Sequence, residues 1–241
     1  MNPTDLESLE RATVEAVAPP ETLEIGGWLV PLDRGPIGRA RSAVPLRHDL
    51  GPEAIGEIEA VYRDRGLPPR FRIADVASLA PVCAEVSRRG FTAEQPTIFK
   101  TGSTGRLGAF SKASAPVLDK PDDAWAAIFL GEGFDPVDGT KRVAALARSP
   151  DAIYATAGEG GEPQAVGVMT FGHGWAGIHG MRTAPAHRGK GLASAILATL
   201  GRAAEARGVT RVFLQVEETN PARRLYRRAG FTQAWRYHYW R

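Results

Sequence analysis

The segment Arg188-Gly189-Lys190-Gly191-Leu192-Ala193 narrows the possible folds of this chain more than any other stretch, because of what flanks it. Ile178–Thr183 reads as a strand closed by Ala184-Pro185, and Leu192, Ile196, Leu197, Leu200 and Ala204 follow at helical spacing. A strand therefore turns through a glycine-rich, doubly basic loop directly into a helix. The first amides of a helix lack internal partners, and the helix dipole adds partial positive charge there. Glycines let the backbone come close to an anion, and Arg188 and Lys190 add full charges. The segment reads as a pyrophosphate cradle, with a solvated basic helix start as the plainer alternative.

The order of elements beyond the loop decides between them. The helix ends at Arg207-Gly208, with glycine in the C′ position. Arg211–Val216 is a strand of apolar and β-branched residues. Asn220-Pro221 opens a second helix, asparagine as N-cap and proline as first residue. That helix carries Leu225-Tyr226 and stops at Gly230-Phe231. The loop fits Arg-x-x-Gly-x-Ala and resembles the acetyl-CoA loop of the GNAT (GCN5-related) acyltransferases. Asn220–Phe231 resembles the second signature block of that family. The resemblance implies an α/β fold with a mixed sheet, the acyl-CoA N-acyltransferase fold, and acetyl-CoA as co-substrate.

Bulk properties set the outer limits. With 241 residues, 43% of them hydrophobic and 24% charged, the chain suits one large domain or two small ones. No run approaches the roughly eighteen apolar residues of a membrane span. Met1–Glu10 holds three acids and no apolar stretch, unlike a secretory signal. A cytoplasmic protein without membrane attachment is expected. Cys83 is the only cysteine and sits among Leu79, Val82 and Val86, so it reads as a structural thiol. No metal site is expected. Arginines crowd the C-terminal half, yet no nucleic-acid-binding pattern accompanies them, so no nucleic-acid partner is expected. Gly172–Gly177 satisfies Gly-x-Gly-x-x-Gly, but a strand follows it, so it reads as a turn between strands with His173 exposed.

A weak repeat links the two halves. Arg65–Ile73 resembles Arg207–Gln215, and Ser87–Phe91 resembles Arg227–Phe231. Gly66 precedes Gly90 by 24 positions, and Gly208 precedes Gly230 by 22. The first half has His48–Glu53 where the second has its loop, and Val86 where the second has Tyr226. Strands are predicted at Gly27–Leu32, Ala40–Val44 and Pro96–Lys100, and helices at Thr4–Val17, Pro52–Arg65 and Val76–Arg89. Thr101–Gly108 and Ser111–Pro116 are rich in turn residues, which places a boundary there. Helices at Asp122–Leu130 and Gly139–Ala147, strands at Ala152–Ala157 and Gln164–Phe171, and a closing strand at Trp235–Tyr239 follow. The pattern resembles the tandem GNAT arrangement: a degenerate unit at 1–115 and a catalytic unit at 116–241.

Acyl transfer from a thioester to an amine needs a placed cofactor, a neutral amine, a stabilised tetrahedral centre and a leaving thiol. By resemblance, Met181, Arg182 and Thr183 line the pantetheine arm, Met181 and Thr183 through their backbone. The Arg188, Gly189, Lys190, Gly191, Leu192 and Ala193 loop takes the pyrophosphate, and Asn220 touches the arm. Tyr226 resembles the tyrosine that protonates the departing thiolate. A lysine-like amine, with a pKa of about 10.4, is neutral in roughly one molecule in 2,500 at pH 7, a deficit of roughly 4.6 kcal/mol. A proton acceptor is therefore useful. His179 is the first candidate, placed by strand alternation on the face of Met181 and Thr183. Its alternative is a hydrogen-bonded structural histidine. Glu218, at the end of the next strand, is the second, and Glu217 points away. The expected reaction is acetyl-CoA-dependent acetylation of a primary amine by a monomer or homodimer, with a non-catalytic acyl-CoA sensor as rival.

Overall fold

A computed structural model describes residues 3–133, 135–160 and 162–241. Helix α1 (Pro3–Glu15) buries Leu6, Leu9 and Ala12 against Trp28, Val30 and Phe71. Strands β1 (Glu21–Ile25) and β2 (Trp28–Leu32) pair antiparallel through Gly26-Gly27, both at positive φ, as a two-residue hairpin demands. With β3 (Val44–Pro45) they form a small sheet. The strand predicted at Ala40–Val44 is mostly not formed. A 3-10 turn, Gly38–Ala40, takes its place, and the Ser42 hydroxyl donates to the Gly38 carbonyl at 2.9 Å. Such local side-chain bonds compete with a ladder. Helix α2 (Ile55–Asp64), strand β4 (Phe71–Ala74), helix α3 (Ala80–Arg88) and strand β5 (Ala93–Ser103) follow.

The predicted loop at Thr101–Gly108 contains the end of β5 and a short helix, α4 (Thr104–Gly108). Ser103 caps it by accepting from the Arg106 amide at 3.3 Å. After β6 (Val117–Leu118), helices α5 (Asp123–Leu130) and α6 (Pro136–Leu146) start at the aspartate caps Asp122 and Asp135, each accepting an amide at 2.7 Å. Strands β7 (Ala152–Glu159), β8 (Glu162–Gly172) and β9 (Trp175–Thr183) form a meander. Its second turn is His173-Gly174, both at positive φ, and His173 is exposed. Helix α7 (Leu192–Ala206), strand β10 (Arg211–Glu217), helix α8 (Arg223–Arg228) and strand β11 (Thr232–Trp240) complete the order.

The main sheet has eight strands in the order β4-β11-β5-β10-β9-β8-β7-β6. It is mixed: β9 and β10 run parallel, and the remaining pairs are antiparallel. β5 sits between β10 and β11, so β4 and β5 share one sheet with every strand beyond residue 116. Helix α7 covers one face, where Ile196, Leu197 and Leu200 meet Ala165, Met169 and Ile178. Alternate residues of β8, Val166 and Val168, face the other way and meet Trp125, Phe129, Ile37 and Ala40. The 3-10 turn therefore lies on the face opposite α7. Among the described residues no helix is long and apolar enough to cross a membrane.

The helix–strand–helix repeat is visible in hydrogen bonds. Gly66, Gly90, Gly208 and Gly230 all have positive φ at helix ends. After each, the next amide reaches back to the helix: Leu67 to Tyr62, Phe91 to Val86, Val209 to Ala204 and Phe231 to Tyr226, at 2.9–3.1 Å. These are the six-to-one bonds of a Schellman stop.

Candidate functional site

Two parallel strands part in the middle of the sheet. β9 and β10 pair only at Ala176–Val212, Gly177–Phe213 and Ile178–Leu214. Beyond Ile178, β9 keeps β8 on one side and has no strand partner on the other, while β10 stays bound to β5. A cavity of about 1250 Å³ occupies the split, lined by Ile178–Thr183 of β9 and Leu214–Glu217 of β10. Unpaired strand backbone is a ready partner for an extended ligand arm.

A β-bulge accompanies the split. Val168 pairs with His179 and Val166 with Arg182, so Gly180 and Met181 together oppose Gly167. Gly180 has φ +57, and an added Cβ there would lie 2.8 Å from Leu146. The extra residue breaks the alternation. Met181 turns toward Gly167 and Ile196 on the α7 face, whereas His179 meets Phe213 at 5.6 Å between ring centroids. The expectation that His179 shares a face with Met181 is therefore corrected.

The Arg188–Ala193 loop stands at the α7 end of the cavity. Gly189 and Gly191 adopt φ +80 and +83, with open space where a side chain would project. Gly191 is the N-cap, and its carbonyl accepts from Ser194 and Ala195, which leaves the amides of Leu192 and Ala193 outside the helical ladder. Arg188 is exposed, its Nε 3.4 Å from the Thr183 carbonyl, and Lys190 stands 3.4 Å from the His187 ring. Arg188, Gly189, Gly191, Leu192 and Ala193 line the cavity. Lys190 does not.

Tyr226 of α8 and Asn220 also line it. Tyr226 is buried beside Phe231, and burial pushes its pKa up to about 12. Asn220 accepts the Ala222 amide at 2.9 Å and leads the chain into α8, whose first residue is Arg223. His179 is buried, 3.1 Å from the Thr170 hydroxyl. Burial first, and then the Arg39 charge, hold its pKa well below 6.5. The two glutamates exchange their expected places. Glu217 lines the cavity and accepts from Gln95 at 2.7 Å, while Glu218 lies outside the lining, 3.6 Å from Arg236. Arg182 places its guanidinium over Phe129 on the face opposite α7, 4.8 Å from the ring centroid.

That face holds residues absent from the sequence-based reading: Arg39 and Arg41 beside the 3-10 turn, and Tyr237 and Tyr239 of β11. Arg39 lies in a segment predicted as a connection, Arg41 in one predicted as a strand. Their spacing, two arginines around Ala40 after Gly35-Pro36, is the only local signal.

Over residues 4–240 the sequence matches the family described as "Probable histone acetyltransferase Rv0428c C-terminal". It is 30% identical to a probable histone acetyltransferase of Mycobacterium tuberculosis over 221 residues, 89% of this chain and 67% of the relative. Among solved structures, a GCN5-related N-acetyltransferase from Kribbella flavida superposes with TM-score 0.72, 17% identity and coverage of 97% of this chain and 94% of that one. A tandem GNAT protein from the clavulanic acid biosynthesis pathway gives TM-score 0.60 at 17% identity, covering 98% and 92%.

Proposed function

We propose, from the premise that this chain belongs to the Rv0428c C-terminal family and is a GNAT-type N-acetyltransferase, that it moves acetyl from acetyl-CoA directly to a primary amine. The observation that carries this reading is the β9–β10 split, which joins a glycine cradle on the α7 face to a second mouth on the opposite face. The cradle fits the cofactor: free amides at a helix start, two glycines in left-handed conformations and a basic side chain suit a pyrophosphate. Bound acetyl-CoA supplies the acetyl group in activated thioester form. The unpartnered edge of β9 at Met181 and Thr183 would hold the pantetheine arm, with Asn220 beside it.

The chain's own residues supply proton handling. Tyr226 stays protonated across the physiological range, so its hydroxyl can donate to the departing sulfur. The His179 imidazole stays neutral and takes a proton from the acceptor nitrogen as the new C–N bond forms. Because its pKa lies well below 6.5, its inflection in kcat/KM falls below the 6–7.5 window of an unperturbed histidine. The transfer is direct, without an acyl-enzyme; Cys83, half-buried against the first-half core and outside the lining, is not placed to take the acetyl group.

The proposal includes the division into a degenerate unit, 1–115, and a catalytic unit, 116–241. The repeated Schellman stops support it, and β5 would be lent by the first unit to the second. The test is CoA release from acetyl-CoA across a panel of primary amines. Amine-dependent release is expected; acetyl-CoA binding without release from any amine would make the protein a sensor.

A further inference from the structure

The mouth opposite α7 is cationic beyond what its acids balance. Arg39, Arg41, Arg142, Arg182 and Arg241 line it, against Asp138 and Glu217. Asp138 is bound to Arg142 at 2.5 Å, and Glu217 is exposed and engaged by Gln95. Arg241 reaches Gln95 and Glu94. Arg39 and Arg41 differ from these. Among the described residues neither side chain makes an ion pair or hydrogen bond, and the Nε of each is buried without a partner.

Arg39 is held in place by its scaffold. Ile37 and Ala40 on either side are buried with Trp125 and Phe129, and Gly38 lies against the Tyr239 ring, where a Cβ would come within 2.7 Å. Around Arg39 stand the Tyr237 and Tyr239 phenols and the Arg72 and Arg142 guanidiniums, with no carboxylate among them, while Asp33 acts on Arg41. The Arg39 charge also reaches His179, which places it near the reacting end of the cavity. Buried guanidinium donors left unpaired cost free energy, and a fork of such donors matches a carboxylate or phosphate. An exposed basic surface would not bury these Nε atoms.

We propose that the acceptor is a small primary amine carrying an anion, carboxylate or phosphate, held by Arg39 and Arg41 while its amine faces His179. This rests on the acetyl-transfer reading and narrows its substrate class. A histone, the acceptor in the name of the mycobacterial relative, is a basic protein and would bring further cations to a mouth already rich in arginine.

The test uses the full chain and matched pairs: L-amino acids against their amides, and phosphoethanolamine against ethanolamine, with a lysine-rich peptide as a third arm. Initial rates of CoA release give kcat/KM, and titration in the presence of CoA gives binding without turnover. The anionic member of at least one pair should be preferred roughly 10–100-fold, the range of one charged hydrogen bond. The two pairs tell carboxylate from phosphate. Arg39→Gln and Arg41→Gln should raise the acceptor KM and erase the preference, Arg39→Lys should restore part of it, and acetyl-CoA affinity should stay within twofold as a check on folding. Equal use of both members, preference for the peptide, or a preference that survives in the double glutamine variant would overturn the proposal. So would failure of every anionic amine to bind. Loss of acetyl-CoA binding by the wild-type protein would instead defeat the acetyl-transfer reading.

Discussion

The unit from α2 to Phe91 and the unit from α7 to Phe231 are built alike and equipped differently. Each runs helix, glycine stop, strand, helix, glycine stop, with the same back-reaching amides. At the head of α7 stand Gly189 and Gly191; ahead of α2 stand Asp49 and Glu53, the first ion-paired to Arg47. Tyr226 lines the cavity, while its counterpart Val86 is buried in the first-half core. Helix ends are set by backbone geometry and need no site beside them. The residues that do chemistry are separable from them.

Five measurements press on this contrast. The largest effect should come from Tyr226→Phe, expected to cut kcat about a hundredfold with little change in the acetyl-CoA KM. A change within twofold would make Tyr226 a packing residue like Val86. Next, Arg188→Glu should weaken acetyl-CoA binding about tenfold or more by calorimetry, since it reverses a charge at the cradle. Asp49→Ala with Glu53→Ala should leave affinity unchanged and the stoichiometry at one per chain; two sites would erase the distinction between the units.

The scaffold half of the comparison predicts equality. Gly66→Ala and Gly208→Ala each force a side chain into a left-handed conformation and should each cost about 1 kcal/mol in urea unfolding, without altering acetyl-CoA affinity. A cost at only one of them would break the symmetry. The smallest effect is a pH slope. Each half holds a histidine shielded by an aromatic ring: half-buried His48 against Trp235, with its pKa lowered to about 4, and buried His179 against Phe213, well below 6.5. Below pH 6.5 the unfolded chain binds protons that the folded chain refuses, so stability should fall as pH drops from 6.5 toward 4. His48→Gln should flatten that slope, and an unchanged slope would mean that the ring is solvated.

What the sequence shows and what it hides follow from the range of the forces involved. The glycine turn into α7, the four glycine stops and nearly every helix were legible because caps, glycines and periodicity act within a few residues. The bulge at Gly180 was not, since one extra residue reverses which side chains share a face and strict alternation conceals it. Glu217 and Glu218 were misjudged for another reason: β10 runs to Glu217, and Glu218 lies beyond its end. Arg39, Tyr237 and Tyr239 were invisible as site residues because only the packing of distant segments brings them to one mouth. Nor does local pattern say that β5 enters between β10 and β11.

That last placement ties completion of the cavity to the order of synthesis. β11 lies between β4 and β5, and Thr92 and Arg241, 149 positions apart, exchange backbone bonds at its end. On the ribosome, β4 and β5 emerge early and must wait, with open edges, for a strand translated long afterwards. Until it arrives, the cavity lacks the wall that carries Tyr237 and Tyr239. A nascent chain thus holds an unfinished cavity, and a chain cut short before β11 exposes two adhesive strand edges, a liability for aggregation or degradation.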